Sequence, residues 1–142
     1  MKSSGKILIV EDDAAVVMTL RRVLSEEGHT VVVETRGDGG LSRATAEPFD
    51  LVLSDIKLPG LGGLDLVREL RRTKPRLPII LMTAHGTTEM AIQATQSGAF
   101  DYLLKPFEMP EMLDLVESAI SSSRLVFKQR WARRVSMGSK SD

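Results

Sequence analysis

With 142 residues, 42% of them hydrophobic and 27% charged, the chain has the size and composition of one ordinary globular domain. It has no cysteine, which excludes a disulfide framework, a thiolate metal site and a thiol nucleophile. Its zero net charge conceals an asymmetry, since residues 1–120 carry 13 Lys and Arg against 18 Asp and Glu while residues 121–142 carry 6 against 1.

Taken in chain order, Lys6–Val10 reads as a first strand, buried on both faces because its apolar residues do not alternate with polar ones. Val16, Val17, Leu20, Val23 and Leu24 then share one helical face, and Gly28 supplies the stop. Thr30–Thr35 is a second strand, followed by a weaker helix over Asp38–Ala46 that ends near Pro48. Asp50–Ser54 is a third strand; the glycine-rich loop Pro59-Gly60-Leu61-Gly62-Gly63 leads into a helix over Leu64–Thr73. Pro78–Thr83 is a fourth strand, Thr88–Gln96 a helix stopped by Gly98, Phe100–Leu104 a fifth strand, and a last helix runs from Pro110 to at least Ile120. Five strands, each followed by a helix, imply parallel pairing, because a helical crossover returns the chain in the same direction. The expected fold is α/β, a three-layer sandwich around a five-stranded parallel sheet. No apolar run approaches the roughly 20 residues needed to cross a bilayer and no signal-peptide stretch follows Met1, so a cytoplasmic protein without membrane contact is expected.

In an open parallel sheet, sites form outside the carboxyl ends of the strands. Here the first strand runs into Glu11-Asp12-Asp13, the third into Asp55, the fourth into Thr83-Ala84 and the fifth into Lys105-Pro106. In a sheet ordered 2-1-3-4-5 these ends surround one pocket. Crowded carboxylates repel and call for a cation; hard oxygen donors without His or Cys favour Mg²⁺, which completes its shell with water and phosphate oxygens. A phosphate-recruiting metal beside a carboxylate nucleophile describes aspartyl-phosphate chemistry, with Lys105 neutralising phosphoryl charge and Thr83 hydrogen-bonding a phosphoryl oxygen. Each member has an ordinary structural reading as well. Asp12 and Asp13 also suit the N-terminal end of the next helix, Thr83 suits a strand, and Lys105 suits an exposed surface. The set is specific; its members are not.

The stretches Ile7-Leu8-Ile9-Val10-Glu11-Asp12-Asp13, Asp50 to Gly60, Pro78-Ile79-Ile80-Leu81-Met82-Thr83-Ala84 and Gly98 to Phe107 resemble the response-regulator receiver domains of two-component systems, over about residues 6 to 120. The last two motifs are most similar to receivers of the nitrogen-regulatory, sigma-54 enhancer-binding class. The resemblance implies the sheet order 2-1-3-4-5 and a receiver domain over residues 1–121. It also implies a phosphoprotein in which Asp55 accepts a phosphoryl group from the phosphohistidine of a sensor histidine kinase. Asp13 and Asp55 would ligate Mg²⁺ with the main-chain carbonyl of Lys57, and Asp12 would act through water. Lys105-Pro106 would be a cis peptide, and Thr83 and Tyr102 would be the switch residues whose movement alters dimer or partner contacts and regulates transcription. No activity beyond self-phosphorylation and dephosphorylation is implied.

Two other chemistries use the same ingredients. Phosphatases of the haloacid dehalogenase type resemble Asp-x-Asp, but Lys57 stands where their second carboxylate would be. A flavodoxin-like FMN site would need a hydroxyl- and glycine-rich loop where Glu11-Asp12-Asp13 lies. His85 is read either as a gate on water access or as a solvent-facing residue. Residues 122–142 are read as a helical extension and linker toward an output domain outside this sequence, and the polar ending Ser139-Lys140-Ser141-Asp142 as a cut end. Met112, Val116, Ala119, Ile120, Ser123, Phe127 and Trp131 recur at three- and four-residue steps, which suggests a homodimer formed by the last helix and its extension. Arg124, Lys128, Arg130, Arg133 and Arg134 form a basic run read as solvated, with no direct nucleic-acid contact expected of this segment.

Overall fold

The apolar run that opens the chain forms the centre of the sheet. In the computed structural model, which describes residues 4–84 and 86–123, Ile7, Leu8, Ile9 and Val10 of strand β1 (Lys6–Val10) are wholly shielded from solvent. Full burial of a Leu or Ile side chain contributes about 1.5–3 kcal/mol relative to exposure, so this strand alone accounts for a large hydrophobic term. The elements that follow are α1 (Ala14–Glu26), β2 (Thr30–Glu34), α2 (Gly37–Ala46), β3 (Leu51–Asp55), α3 (Gly63–Thr73), β4 (Ile79–Thr83), α4 (Thr88–Ser97) and β5 (Asp101–Leu104). A last helix, α5, is described over 109–123. All pairings are parallel and the strand order is β2-β1-β3-β4-β5.

Alternation along the strands divides the core in two. Ile7, Ile9, Leu51, Leu53, Ile80, Met82 and Leu103 face α1 and α5, which contribute Leu20, Leu24, Met112, Val116, Ala119 and Ile120. On the other face, Leu8, Val10, Val52, Ile79 and Leu81 meet α2, α3 and α4 through Ala44, Leu66, Val67, Leu70 and Ala94. The expected three-layer α/β sandwich is thus the observed one.

Most boundaries fall within a residue of expectation, and one shift matters. The third strand, expected over Asp50–Ser54, covers Leu51–Asp55. Asp50 leads into the strand, with its N–H donating to the Lys6 carbonyl at 2.8 Å and its Oδ2 accepting the Lys6 backbone N–H at 2.8 Å, and beyond Asp55 the Ile56 N–H continues the pairing by donating to the Met82 carbonyl at 3.0 Å. Asp55 is therefore held as the last residue of a strand. The expected stops occur: Gly28 and Gly98 have φ of 92° and 99°, a region glycine enters without steric cost. The Lys105–Pro106 peptide is cis, as the resemblance implied. Of the α5 stripe, Met112, Val116, Ala119 and Ile120 are buried against the chain's own sheet, and Ser123, partly buried, donates its hydroxyl to the Arg76 carbonyl at 3.0 Å. Phe127, Trp131, the basic run and His85 lie outside the described residues.

Candidate functional site

At the carboxyl end of the sheet, β1 and β3 are neighbours, and the residues just past their ends meet. Glu11 lies at the end of β1 and is wholly buried; Asp12 follows it and is exposed; Asp55 closes β3 and is partly buried. One carboxylate oxygen from each of these three residues lies within 4.8 Å of the others. From the far side, the Lys105 ammonium donates to Glu11 Oε1 at 2.5 Å and to Asp55 Oδ2 at 2.9 Å. The lysine comes from the turn after β5 and is fixed at its backbone, where its N–H donates to the Thr83 carbonyl at 2.7 Å.

The electrostatics follow from burial. Desolvation is the largest influence on Glu11 and pushes its carboxyl above the ordinary range, although the Lys105 hydrogen bond pulls the other way. Burial disfavours the Lys105 ammonium too, but its hydrogen bonds to Glu11 and Asp55 outweigh that and hold its pKa above the usual lysine value. Three carboxylates against one ammonium leave the mouth short of positive charge. Carboxylate oxygens with no His or Cys in the cluster are the donor set of a hard divalent ion such as Mg²⁺.

The expected residues do not all stand where the sequence placed them. Asp12, Asp55 and Lys105 converge; Asp13 does not join them. Its Oδ1 accepts the Ala15 N–H at 2.9 Å and the Val16 N–H at 3.3 Å, making it the N-cap of α1. That carboxylate oxygen satisfies two amides that a helix start leaves without intrahelical partners. Glu11 takes the vacated place in the group, and its Oε2 accepts the Asp13 N–H at 3.1 Å, which braces the turn between them. Glu11 was not singled out from sequence. The available signal was the period of two along β1: Glu11 continues the Ile7/Ile9 side, toward α1 and the turn carrying Lys105. Lys57 is exposed at its side chain, and its backbone N–H donates to Asp55 Oδ1 at 3.3 Å, so its main chain borders the cluster. Thr83 is buried at the end of β4, one residue beyond Met82, the register partner of Asp55. Tyr102 pairs with Leu81 in the sheet and packs, partly buried, against the core on the α3 and α4 side.

A family model described as response regulator receiver domain matches residues 7–117. The chain is 41% identical over 117 residues to the DNA-binding transcriptional regulator NtrC of Salmonella typhimurium, an alignment covering 82% of this chain and 25% of that protein. The chain therefore spans about a quarter of the length of that relative. Among solved structures, NtrX from Brucella abortus superposes with a TM-score of 0.84 at 31% identity, covering 90% of this chain and 29% of that one. The receiver domain of sensor histidine kinase PA1611 from Pseudomonas aeruginosa, solved with a magnesium ion coordinated in its active-site cleft, superposes with a TM-score of 0.77 at 30% identity, covering 84% and 99%.

Proposed function

The chain belongs to the response regulator receiver domain family, and on that premise we propose that Asp55 is its phosphoacceptor, with Mg²⁺ held by Asp12, Asp55 and the main-chain carbonyl of Lys57. The observation that carries this reading is the Lys105 ammonium shared between Glu11 and Asp55 while Asp12 stands beside them. The resemblance placed Asp13 as a direct ligand and Asp12 behind a water. Because Asp13 caps α1, we move both roles back one residue, to Asp12 as the direct ligand and Glu11 as the carboxylate acting through water.

In the reaction an Asp55 carboxylate oxygen attacks phosphorus, the P–N bond of a kinase phosphohistidine breaks, and the imidazole departs. Bound Mg²⁺ would neutralise charge on the phosphoryl oxygens. Lys105, already within hydrogen-bond distance of Asp55 Oδ2, transfers its donation to a phosphoryl oxygen, and the Thr83 hydroxyl takes another. That movement of Thr83, with Tyr102 turning inward, shifts the population toward an arrangement with altered partner contacts. A receiver catalyses only its own phosphorylation and dephosphorylation. Lys57, a cation where an Asp-x-Asp phosphatase has its second carboxylate, is in keeping with that.

Among the described residues no helix is long and apolar enough to cross a membrane, and we place the protein in the cytoplasm beside its sensor kinase. We assign the receiver to residues 1–121 and a helical extension to 122–142, leading to an output that regulates transcription. Homodimerisation is assigned to the last helix and its extension: Met112, Val116, Ala119 and Ile120 are already buried in the chain's own core, which leaves the pairing to Phe127 and Trp131, where the sequence continues their spacing. Incubation with acetyl phosphate tests the central assignment. Intact-mass analysis should show one added phosphoryl group, only with Mg²⁺ present, and none on Asp55→Asn; undiminished labelling of that variant overturns it.

A further inference from the structure

We propose that Gly37, in the first turn of α2 and outside the acid cluster, is a positioning residue for the loop that carries the Lys57 carbonyl. The inference rests on the reading of that carbonyl as a metal ligand. Besides the bonds of the Ile56 N–H to the Met82 carbonyl and of the Lys57 N–H to Asp55 Oδ1, the loop over 56–62 is held at two glycines. At its base the Gly63 N–H donates to the Ile56 carbonyl at 2.8 Å, and a side chain at Gly63 would overlap the Asp55 carbonyl and the Ile56 Cα. At its far side the Gly37 N–H donates to the Pro59 carbonyl at 3.0 Å. A Cβ added at Gly37 would fall on the Leu61 carbonyl oxygen and crowd the Leu61 carbonyl carbon. The obstacle is backbone, which cannot rotate aside as a side chain does.

Gly37 is buried and helical, with no positive φ that would demand glycine. Its requirement is close approach, with one Cα hydrogen aimed at a carbonyl oxygen where any other residue would place a methyl group. The neighbouring glycines of α2 differ. A Cβ at Gly39 meets only the Glu34 carboxylate, the movable end of a side chain, at 2.7 Å. Since alanine is the better helix former, Gly39→Ala removes a glycine from the same turn without touching the loop.

With any Cβ at position 37, the Leu61 carbonyl must retreat by more than about 1 Å, and errors of that size at positioned groups cost up to about a hundredfold in rate. The displacement reaches Lys57 because the loop's base is held by Gly63 and its far side is being pushed.

The test compares wild type, Gly37→Ala and Gly39→Ala in the full chain. Three quantities are read: Mg²⁺ affinity from NMR shifts of the Asp55 and Lys57 amides, the rate of labelling by acetyl phosphate, and metal-free stability in urea. Gly37→Ala should weaken Mg²⁺ binding about tenfold and slow labelling by about tenfold to a hundredfold, while Gly39→Ala matches wild type. A merely structural role for Gly37 would lower metal-free stability and leave the Mg²⁺ dissociation constant of the folded protein unchanged, and that result overturns the proposal. If Gly37→Ala does not fold, Gly60→Ala serves instead: its φ of 81° strains the same loop, and it should weaken Mg²⁺ binding in the same sense. Unaltered binding in that variant likewise overturns the proposal. Wild type that binds no Mg²⁺ and takes no label brings down the phosphoacceptor reading first, and this inference with it.

Discussion

The two sides of the site are built differently. On one side, every residue from Ile7 to Glu11 and from Leu51 to Ser54 is buried, so Glu11 and Asp55 project from strands that cannot shift without opening the core. On the other, α4 commits only Ala94 to the buried core and β5 only Leu103, while Ile92 and Leu104 are 49% and 44% exposed. Local opening costs least where few apolar contacts are lost. A rigid acid end can hold charges at fixed spacing while the loosely anchored side, which carries Tyr102 and lies next to Thr83, changes arrangement. The difference suits a switch: precision is needed where the phosphoryl group lands, and freedom where its arrival is reported.

The largest expected effect tests that contrast in stability. Leu53→Ala, at a site with no exposure, should cost about 2–5 kcal/mol in urea unfolding, and Leu104→Ala about 0.5 kcal/mol or less. Comparable losses at the two positions would break the comparison.

Next in size is the lysine that joins the two sides. Its folded-state pKa lies above the unfolded value of 10.5, so the stability it supplies is complete below that pH and lost as pH rises through the folded value. Lys105→Met should be less stable than wild type at neutral pH, because Glu11 and Asp55 lose the shared ammonium, and the gap should close along the alkaline limb above about 10.5. A gap that stays constant through that limb, measured by urea titration at a series of pH values, would contradict the pairing.

Much of this was legible in the sequence, and the part that was not has a local cause. The strands were readable because β1, β3 and β4 are continuous apolar runs of strand length, and Gly28 and Gly98 mark helix ends by their permitted φ. The strand order came from the resemblance and not from periodicity. Within the site, Asp55, Lys105 and Asp12 were identifiable by type and position at strand ends. What was not legible was which of Glu11, Asp12 and Asp13 cluster with Asp55 and which one caps α1. Three consecutive acids cross from strand to helix, and which carboxylate turns inward depends on the dihedral angles of that turn. Asp13 has φ −83° and ψ 112°, extended values that fit an N-cap. An Asp directly before the Ala14 start of α1 is itself a cap signature, so a stricter reading of helix starts would have separated it from Asp12. Gly37 was unreadable for another reason, since its constraint is the carbonyl of Leu61, a residue distant in sequence.

A modest stability change belongs to the neighbouring pair Asp12 and Asp13, and the same variants give the most direct test of the site. Losing the cap in Asp13→Ala should cost about 1 kcal/mol of stability. Mg²⁺ titration monitored by NMR at the Asp55 and Lys57 amides should give near-wild-type affinity for Asp13→Ala and no saturable binding for Asp12→Ala. The reverse pattern, with binding lost in Asp13→Ala and kept in Asp12→Ala, would contradict the assignment of the acid cluster.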